Sequence, residues 1–274
     1  MNRASIVGMA ACVLASAFAV SGCTPGAGSS GAAGGSTLQS VLQSGTVRVG
    51  DCLSFAPFGF YDEAGKPSGY DVDIANELAT QLGVKLEVID TTADNRIPNL
   101  QTNKVDVVFC NFTRTGARQK QIEFTDPYVV AGEGLLVKKN SGITSIKDMN
   151  GKTVAVVKGS TNGDAVMNAN PQAKVQQYDT TAAAILAVQQ GQAAAMVEDT
   201  NFLAYQAKLD PTLTVTADSL VALEYNGFGV KQGDQTWLNW LNGFLFRLNT
   251  SGKNAELYEK WFGVPPRYPL NPQY

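Results

Sequence analysis

From residue 47 to residue 109 short apolar runs alternate with amphipathic ones, and no other feature limits the fold as much. Val47-Arg48-Val49 predicts a strand. Ile74, Leu78 and Leu82 share one face of a helix that closes at Gly83, with Asp71 or Asp73 as its cap. Residues 84–89 alternate as a second strand, a short helix surrounds Pro98, and residues 105–109 are β-branched and apolar enough for a buried strand. Strand, helix, strand, helix, strand in this order predicts a parallel sheet.

Open sheets of that kind bind ligands beyond the carboxyl ends of their strands. Asn111 and Thr113 fall at that edge, and Arg118 opens the polar segment behind them. An arginine beside threonine hydroxyls can hold a carboxylate through a two-pronged fork; a surface arginine in a solvated loop is the alternative.

A second α/β series follows. The chain changes register near residues 132–137, and residues 153–157 predict a strand that enters the glycine loop Lys158-Gly159-Ser160-Thr161-Asn162-Gly163 and then a helix. Backbone N–H groups of such a loop point at an anion, helped by the helix dipole. The Gly-Lys-Ser/Thr ending of a P-loop is missing, and a plain strand-to-helix turn is the alternative. An alanine-rich helix over residues 182–190 closes at Gly191, a strand over residues 194–197 ends at Glu198-Asp199, and residues 223–230 return. Two amphipathic helices finish the fold, one marked by Trp237, Leu241, Phe244, Leu245 and Leu248, the other by Leu257, Tyr258, Trp261 and Phe262. These aromatics suit a core. A proline-rich tail over residues 265–274 is expected to wrap the surface.

Residues 1–23 have the form of a targeting segment: Arg3 is positive, and the apolar run over residues 6–20 is too short to span a membrane. Val20-Ser21-Gly22-Cys23 resembles a bacterial lipobox, so Cys23 is the expected lipid anchor; an ordinary signal peptide cut nearby would keep export and lose the anchor. Two acyl chains suffice for stable membrane attachment. Residues 24–37, rich in Gly, Ala and Ser, form a flexible tether.

Of four cysteines, Cys12 leaves with the signal and Cys23 is the anchor. Cys52 and Cys110 remain, each following a strand of one sheet near the same edge, and form a possible disulfide in an oxidising compartment. Histidine is absent, which removes the commonest general base and metal ligand, and no cysteine cluster has zinc spacing. No cofactor or metal is expected. A net charge of -3 without basic runs argues against nucleic acid and anionic lipid as partners.

Thr113-x-Thr115-x-x-Arg118 followed by Phe124-Thr125-Asp126-Pro127-Tyr128 resembles the signature of the amino-acid-binding solute-binding proteins of ABC importers, bacterial family 3. Upstream stand Gly50, Ala56-Pro57-Phe58, Gly69-Tyr70-Asp71-Val72-Asp73-Ile74-Ala75 and Ile97-Pro98-x-Leu100. Downstream stand Gly159-Ser160-Thr161, Val197-Glu198-Asp199 and Lys260-Trp261-Phe262-Gly263, so the likeness covers residues 38–263. It implies a two-lobed α/β clamshell of the type II periplasmic-binding-protein kind, with two parallel or mixed sheets joined by two hinge crossings. Residues 38–133 plus 225–264 would form the first lobe and 134–224 the second.

The same resemblance assigns a site. Arg118 takes a ligand carboxylate, with Thr113, Ser160 and the Thr161 backbone N–H as further donors, while Asp199 takes the ammonium, helped by the Asn111 backbone carbonyl. The ligand's side chain would meet Cys52, Phe55, Ala93 and Asn95 or Arg96, Arg96 otherwise being a solvated helix residue. Asn95-Arg96-Ile97-Pro98 and Arg118-Gln119-Lys120-Gln121 look like the glutamate/aspartate-binding branch, yet that branch has an arginine near position 52, so polar uncharged ligands stay open. The expected protein is an exported monomeric receptor, on the periplasmic or extracellular face, that hands an amino acid to a membrane permease. A cyclohexadienyl or arogenate dehydratase on the same fold is the alternative, with Glu198 or Asp199 as general acid. Strand alternation would turn Glu198 away if Asp199 points in, and an ammonium-paired Asp199 would be a poor acid.

Overall fold

The computed structural model describes residues 35–270. Cys23, the targeting segment and most of the tether lie outside the described residues. The folded part starts at Ser36, whose hydroxyl donates to Asp234 at 2.9 Å and caps the first helix, α1 (Thr37–Ser44).

The first series comprises β1 (Thr46–Asp51), β2 (Ser54–Phe55), β3 (Gly59–Tyr61), β4 (Pro67–Ser68), α2 (Tyr70–Leu82), β5 (Lys85–Asp90), α3 (Arg96–Gln101), β6 (Val107–Val108) and α4 (Gly116–Gln119). A long strand, β7 (Glu123–Lys138), leads to β8 (Thr153–Val157), α5 (Asn162–Ala169), β9 (Lys174–Tyr178), α6 (Thr181–Gln190), β10 (Ala195–Asp199) and α7 (Thr200–Leu209). A second long strand, β11 (Leu213–Val230), returns, and α8 (Gln235–Thr250) and α9 (Lys253–Phe262) close the fold.

Among the described residues the main sheet runs β5-β1-β6-β11-β7-β10-β8-β9, with β2, β3 and β4 in a small separate sheet. β1 is parallel to β5 and β6, and β8 is parallel to β9 and β10, so each series builds a parallel half. Between the halves lie β7 and β11, antiparallel to each other and 16 and 18 residues long. The two expected sheets therefore share one hydrogen-bonded middle. Register shifts along β11 mark bulges, which bend a strand.

Three local expectations change. β6 is only two residues long, because its neighbours β1 and β11 reach it only there, although Val105 and Phe109 are buried as expected. β11 starts ten residues before position 223, since its first part pairs with the far end of β7. Neither Asp71 nor Asp73 caps α2. The cap is Gly69 at φ 131, where a side chain would press into the Phe58 backbone. Asp71 is buried in the first turn, and Asp73 accepts from Trp261 Nε1 at 2.7 Å and Lys260 Nζ at 2.6 Å.

The helices finish as the spacing predicts. Trp237, Leu241, Phe244, Leu245 and Leu248 bury one face of α8, each side chain stabilising the fold by about 1.5–3 kcal/mol. Trp237 Nε1 donates to the Asp106 carbonyl at 2.9 Å, which satisfies its polar end inside the core. Leu257, Tyr258 and Phe262 of α9 are buried too. Behind them Pro266, Tyr268, Pro269 and Leu270 of the tail line a groove with Tyr70, Tyr128 and Tyr258.

Candidate functional site

A cleft of about 540 Å³ opens at the carboxyl ends of both series. Cys52, Phe55, Asn111, Thr113, Arg118, Ser160, Thr161 and Asp199, all singled out from the sequence, line it. Ala93 and Arg96 do as well, while Asn95 is exposed and donates to Thr92 Oγ1.

The floor is built where β1 and β6 end. Asp51 Oδ1 accepts from the Cys52 N–H at 2.8 Å and the Cys110 N–H at 3.2 Å, tying two strand ends to one buried carboxyl. Cys52 and Cys110 are joined by a disulfide, Cα to Cα 4.8 Å. Cys110 and Asn111 then take φ of 52° and 44°, a left-handed turn that asparagine tolerates better than most residues. Asp71 accepts from Tyr128 Oη at 3.0 Å and the Asn111 N–H at 3.3 Å. Burial pushes both acids up, Asp71 to about 7, and Asp51 rises further because Asp71 lies beside it.

One wall carries two guanidinium groups. Thr115 caps α4 by accepting from the Arg118 N–H, and Arg118 donates to the Thr113 carbonyl at 2.7 Å and the Gly159 carbonyl at 2.9 Å. Arg96 donates to the carbonyls of Ala93, Cys110 and Gly159 at 2.8, 3.1 and 3.0 Å. Both groups lie over the Phe112 ring, 4.1 and 4.9 Å from its centroid, and neither joins a salt bridge among the described residues. Arg96 is 4% exposed, so it is not a solvated helix residue: α3 begins at the cleft edge and turns it inward. Burial lowers the pKa of both arginines, and Arg118 lowers that of Arg96 further.

The glycine loop crosses to this wall. Gly159 has φ 80, and a Cβ there would sit 2.6 Å from the Asp94 backbone, so only glycine permits the approach. Lys158 and Asp94 pair at 2.8 Å beside it. Gln206 Nε2 donates to the Ala56 carbonyl at 2.9 Å, and Thr181 Oγ1 to that of Ser54, adding links between the two series.

The opposite wall is acidic. Asp199 ends β10, and its Oδ2 accepts from Asn111 Nδ2 at 2.9 Å and Asn226 Nδ2 at 3.0 Å. Burial, with Glu224 nearby, raises Asp199 to about 7, against the pull of the two amides and of Arg96. Glu198 lines the cleft too, rather than turning away. Its Oε1 accepts from the Asp199 N–H at 3.2 Å, because the chain bends into α7 at Asp199 and strict alternation stops there. Glu133 on β7 accepts from Thr161 Oγ1 at 3.0 Å, and Glu224 on β11 lies close enough for its charge to be felt. Burial raises both, Glu133 to about 7 with repulsion from Asp199 and Glu224 to about 8 with repulsion from Glu133.

Sequence reasoning passed over Glu133, Glu224 and Asn226. A lone acid in the apolar run Ala131-Gly132-Glu133-Gly134-Leu135 is the one signal that could have found the first. Among the described residues no group of three or more His, Cys, Asp and Glu is placed to hold a metal ion, and no helix is long and apolar enough to cross a membrane. A fixed positive wall facing a carboxyl wall suits a small molecule that carries both charges.

Residues 47–264 match the model of the bacterial extracellular solute-binding proteins, family 3. A glutamine-binding protein of Geobacillus stearothermophilus is 36% identical over 202 residues, 72% of this chain and 77% of that one. Among solved structures, an ancestral amino acid-binding protein described as a precursor of cyclohexadienyl dehydratase is 41% identical, with a TM-score of 0.79 over 83% of this chain and 100% of that one. A mutant of the arginine-binding protein ArgBP from T. maritima is 36% identical, with the same TM-score of 0.79 over 83% and 100%. These relatives are binding proteins rather than enzymes, and the eight-stranded α/β architecture is that of their two-lobed type II clamshell. The chain belongs to the bacterial extracellular solute-binding proteins, family 3.

Proposed function

We propose that the protein is the exported receptor of an ABC importer, held to the membrane through Cys23, which captures a free polar L-amino acid and delivers it to a membrane permease as a monomer. Residues 38–133 plus 225–264 and residues 134–224 act as the two lobes, with β7 and β11 as hinge. One observation carries the reading: Arg118 from α4 and Asp199 from the end of β10 line one cleft, with Arg118 in no salt bridge among the described residues. An α-amino acid leaving water needs a partner for its carboxylate and another for its ammonium. Arg118 with Thr113, Ser160 and the Thr161 N–H supplies the first, and Asp199 with Asn111 the second. Phe55, Cys52 and Arg96 bound the space left for the side chain. The names of the relatives, glutamine-binding and arginine-binding, support the ligand class.

A thermal-shift screen of the mature chain against the common L-amino acids tests this. A ligand at 100 times its dissociation constant stabilises by about 2.7 kcal/mol. No shift with any of them would end the assignment. Finding the wild-type chain wholly soluble after export, where Cys23→Ala is soluble too, would remove the anchor.

A further inference from the structure

Asn226 lies on β11, fully buried, outside the set of residues that line the cleft. Its Nδ2 donates to Asp199 Oδ2 at 3.0 Å and to Asn111 Oδ1, while Asn111 Nδ2 reaches the same Asp199 oxygen at 2.9 Å. Three elements thus meet at one carboxylate oxygen. β10 supplies the acid, β11 one carboxamide, and the turn after β6 the other. Among the described residues the second oxygen, Asp199 Oδ1, accepts no hydrogen bond and is not enclosed, so the carboxylate is anchored at one end and open at the other.

Two features set Asn226 apart from a core amide held for packing. Its own Oδ1 is buried without a partner, so the side chain is oriented entirely by what its NH₂ group touches. Turning it over would place that oxygen against two other oxygens. Its backbone is held independently, by the bridge to Thr113 and by the Gly227 N–H donating to the Phe112 carbonyl at 3.1 Å.

Charged and titratable groups face Asp199 from every side: Glu198 on β10, Glu133 on β7, Glu224 on β11, Arg96 in α3, Arg118 in α4 and Tyr258 in α9. The carboxyls favour a protonated Asp199, and the arginines and the two amides oppose them. We propose that Asn226 is a positioning residue, which keeps the Asp199 carboxylate in its charged form and turns its open oxygen toward the ligand's ammonium. The proposal rests on the reading of Asp199 as the ammonium partner.

A carbon-13 carboxyl titration of the ligand-free protein, with the Asp199 signal assigned by its loss in Asp199→Asn, tests the first half without any ligand. In Asn226→Leu the Asp199 midpoint should move up. The second half is read by thermal-shift titration with an equimolar mixture of the common L-amino acids, from about pH 6 to about pH 9. Apparent affinity should fall roughly 10- to 100-fold near pH 7 and recover toward the alkaline end, where Asp199 ionises without help. If Asn226→Leu does not fold, Asn226→Asp, of the same shape, should move the acid limb upward as well. An unmoved Asp199 midpoint, or a loss of affinity equal at every pH, would overturn the positioning role. Undiminished binding by Asp199→Asn would instead overturn the ammonium site itself.

Discussion

The two sides of the cleft hold buried charge in opposite ways. On the arginine side the charge is permanent: Arg96 and Arg118 stay protonated over any ordinary pH, and they are steadied by four main-chain carbonyls and one aromatic ring. Carbonyl dipoles and a ring face lower the cost of burial without cancelling the charge. On the acid side Glu133, Glu198, Asp199 and Glu224 crowd together, and the charge is negotiable, because burial and repulsion among neighbouring acids lift Glu133 and Asp199 to about 7 and Glu224 to about 8 and push Glu198 well above its ordinary value. A ligand carboxylate would meet a partner that does not titrate, and a ligand ammonium one that does. The pH dependence of binding should therefore come from the acid wall alone.

Breaking each wall in turn tests that difference, and the effect should be the largest available. Arg118→Ala removes a buried cation and should cost about 2–5 kcal/mol of binding, roughly a 30- to 4,000-fold loss of affinity by calorimetry. That loss should be the same at pH 6 and pH 8, to about a factor of two. Asp199→Asn should cost a similar amount above its midpoint of about 7 and much less below it, since there the wild-type carboxyl is itself protonated. A pH-dependent defect in Arg118→Ala, or a pH-independent one in Asp199→Asn, would undo the contrast.

How far the sequence foretold the site follows the same division. Asp199 was legible because it ends a recognisable strand, and Arg118 because its motif follows the strand over residues 105–109; the role of each comes from the family resemblance. Arg96 was half legible: its motif stood out, but whether a helix residue turns in or out depends on where the helix starts, which the spacing around Pro98 did not settle. Glu133, Glu224 and Asn226 were not legible, because their partners lie 28, 91 and 27 residues away or more and meet only once β7 and β11 pair side by side. The length of β11 was missed for the same reason: Ala217-Asp218-Ser219 interrupts the β-prone run that starts at Leu213, and pairing with β7 carries the strand across that break.

The arginine wall also has a covalent support, and removing it should give the next smaller effect. Arg96 donates to the Cys110 carbonyl, and the Cys52–Cys110 link bridges residues 58 apart. Cys52→Ser with Cys110→Ser should lower stability by about 2–4 kcal/mol in denaturant unfolding. Thiol labelling of the folded, non-reduced mature chain should find neither cysteine reactive, and two reactive thiols would leave the wall supported by hydrogen bonds alone.

The smallest expected change concerns the acid wall and sharpens the comparison through stability instead of binding. Glu133 has a folded midpoint of about 7 against about 4.5 for a free glutamate, because burial outweighs its bond from Thr161. A carboxyl raised in the folded state stabilises the fold below its unfolded value, and that contribution is lost as pH rises through the folded one. Wild-type stability should therefore decline between about pH 4.5 and about pH 7. Glu133→Gln keeps the shape and offers a neutral amide to Glu224, so it should leave stability at about pH 5 unchanged and raise it at about pH 8 by on the order of 1 kcal/mol. Denaturant unfolding of both proteins at the two pH values reads the difference directly. An equal change at both would mean that Glu133 takes up no proton between β7 and β11, and that the acid wall is as fixed in charge as the arginine wall.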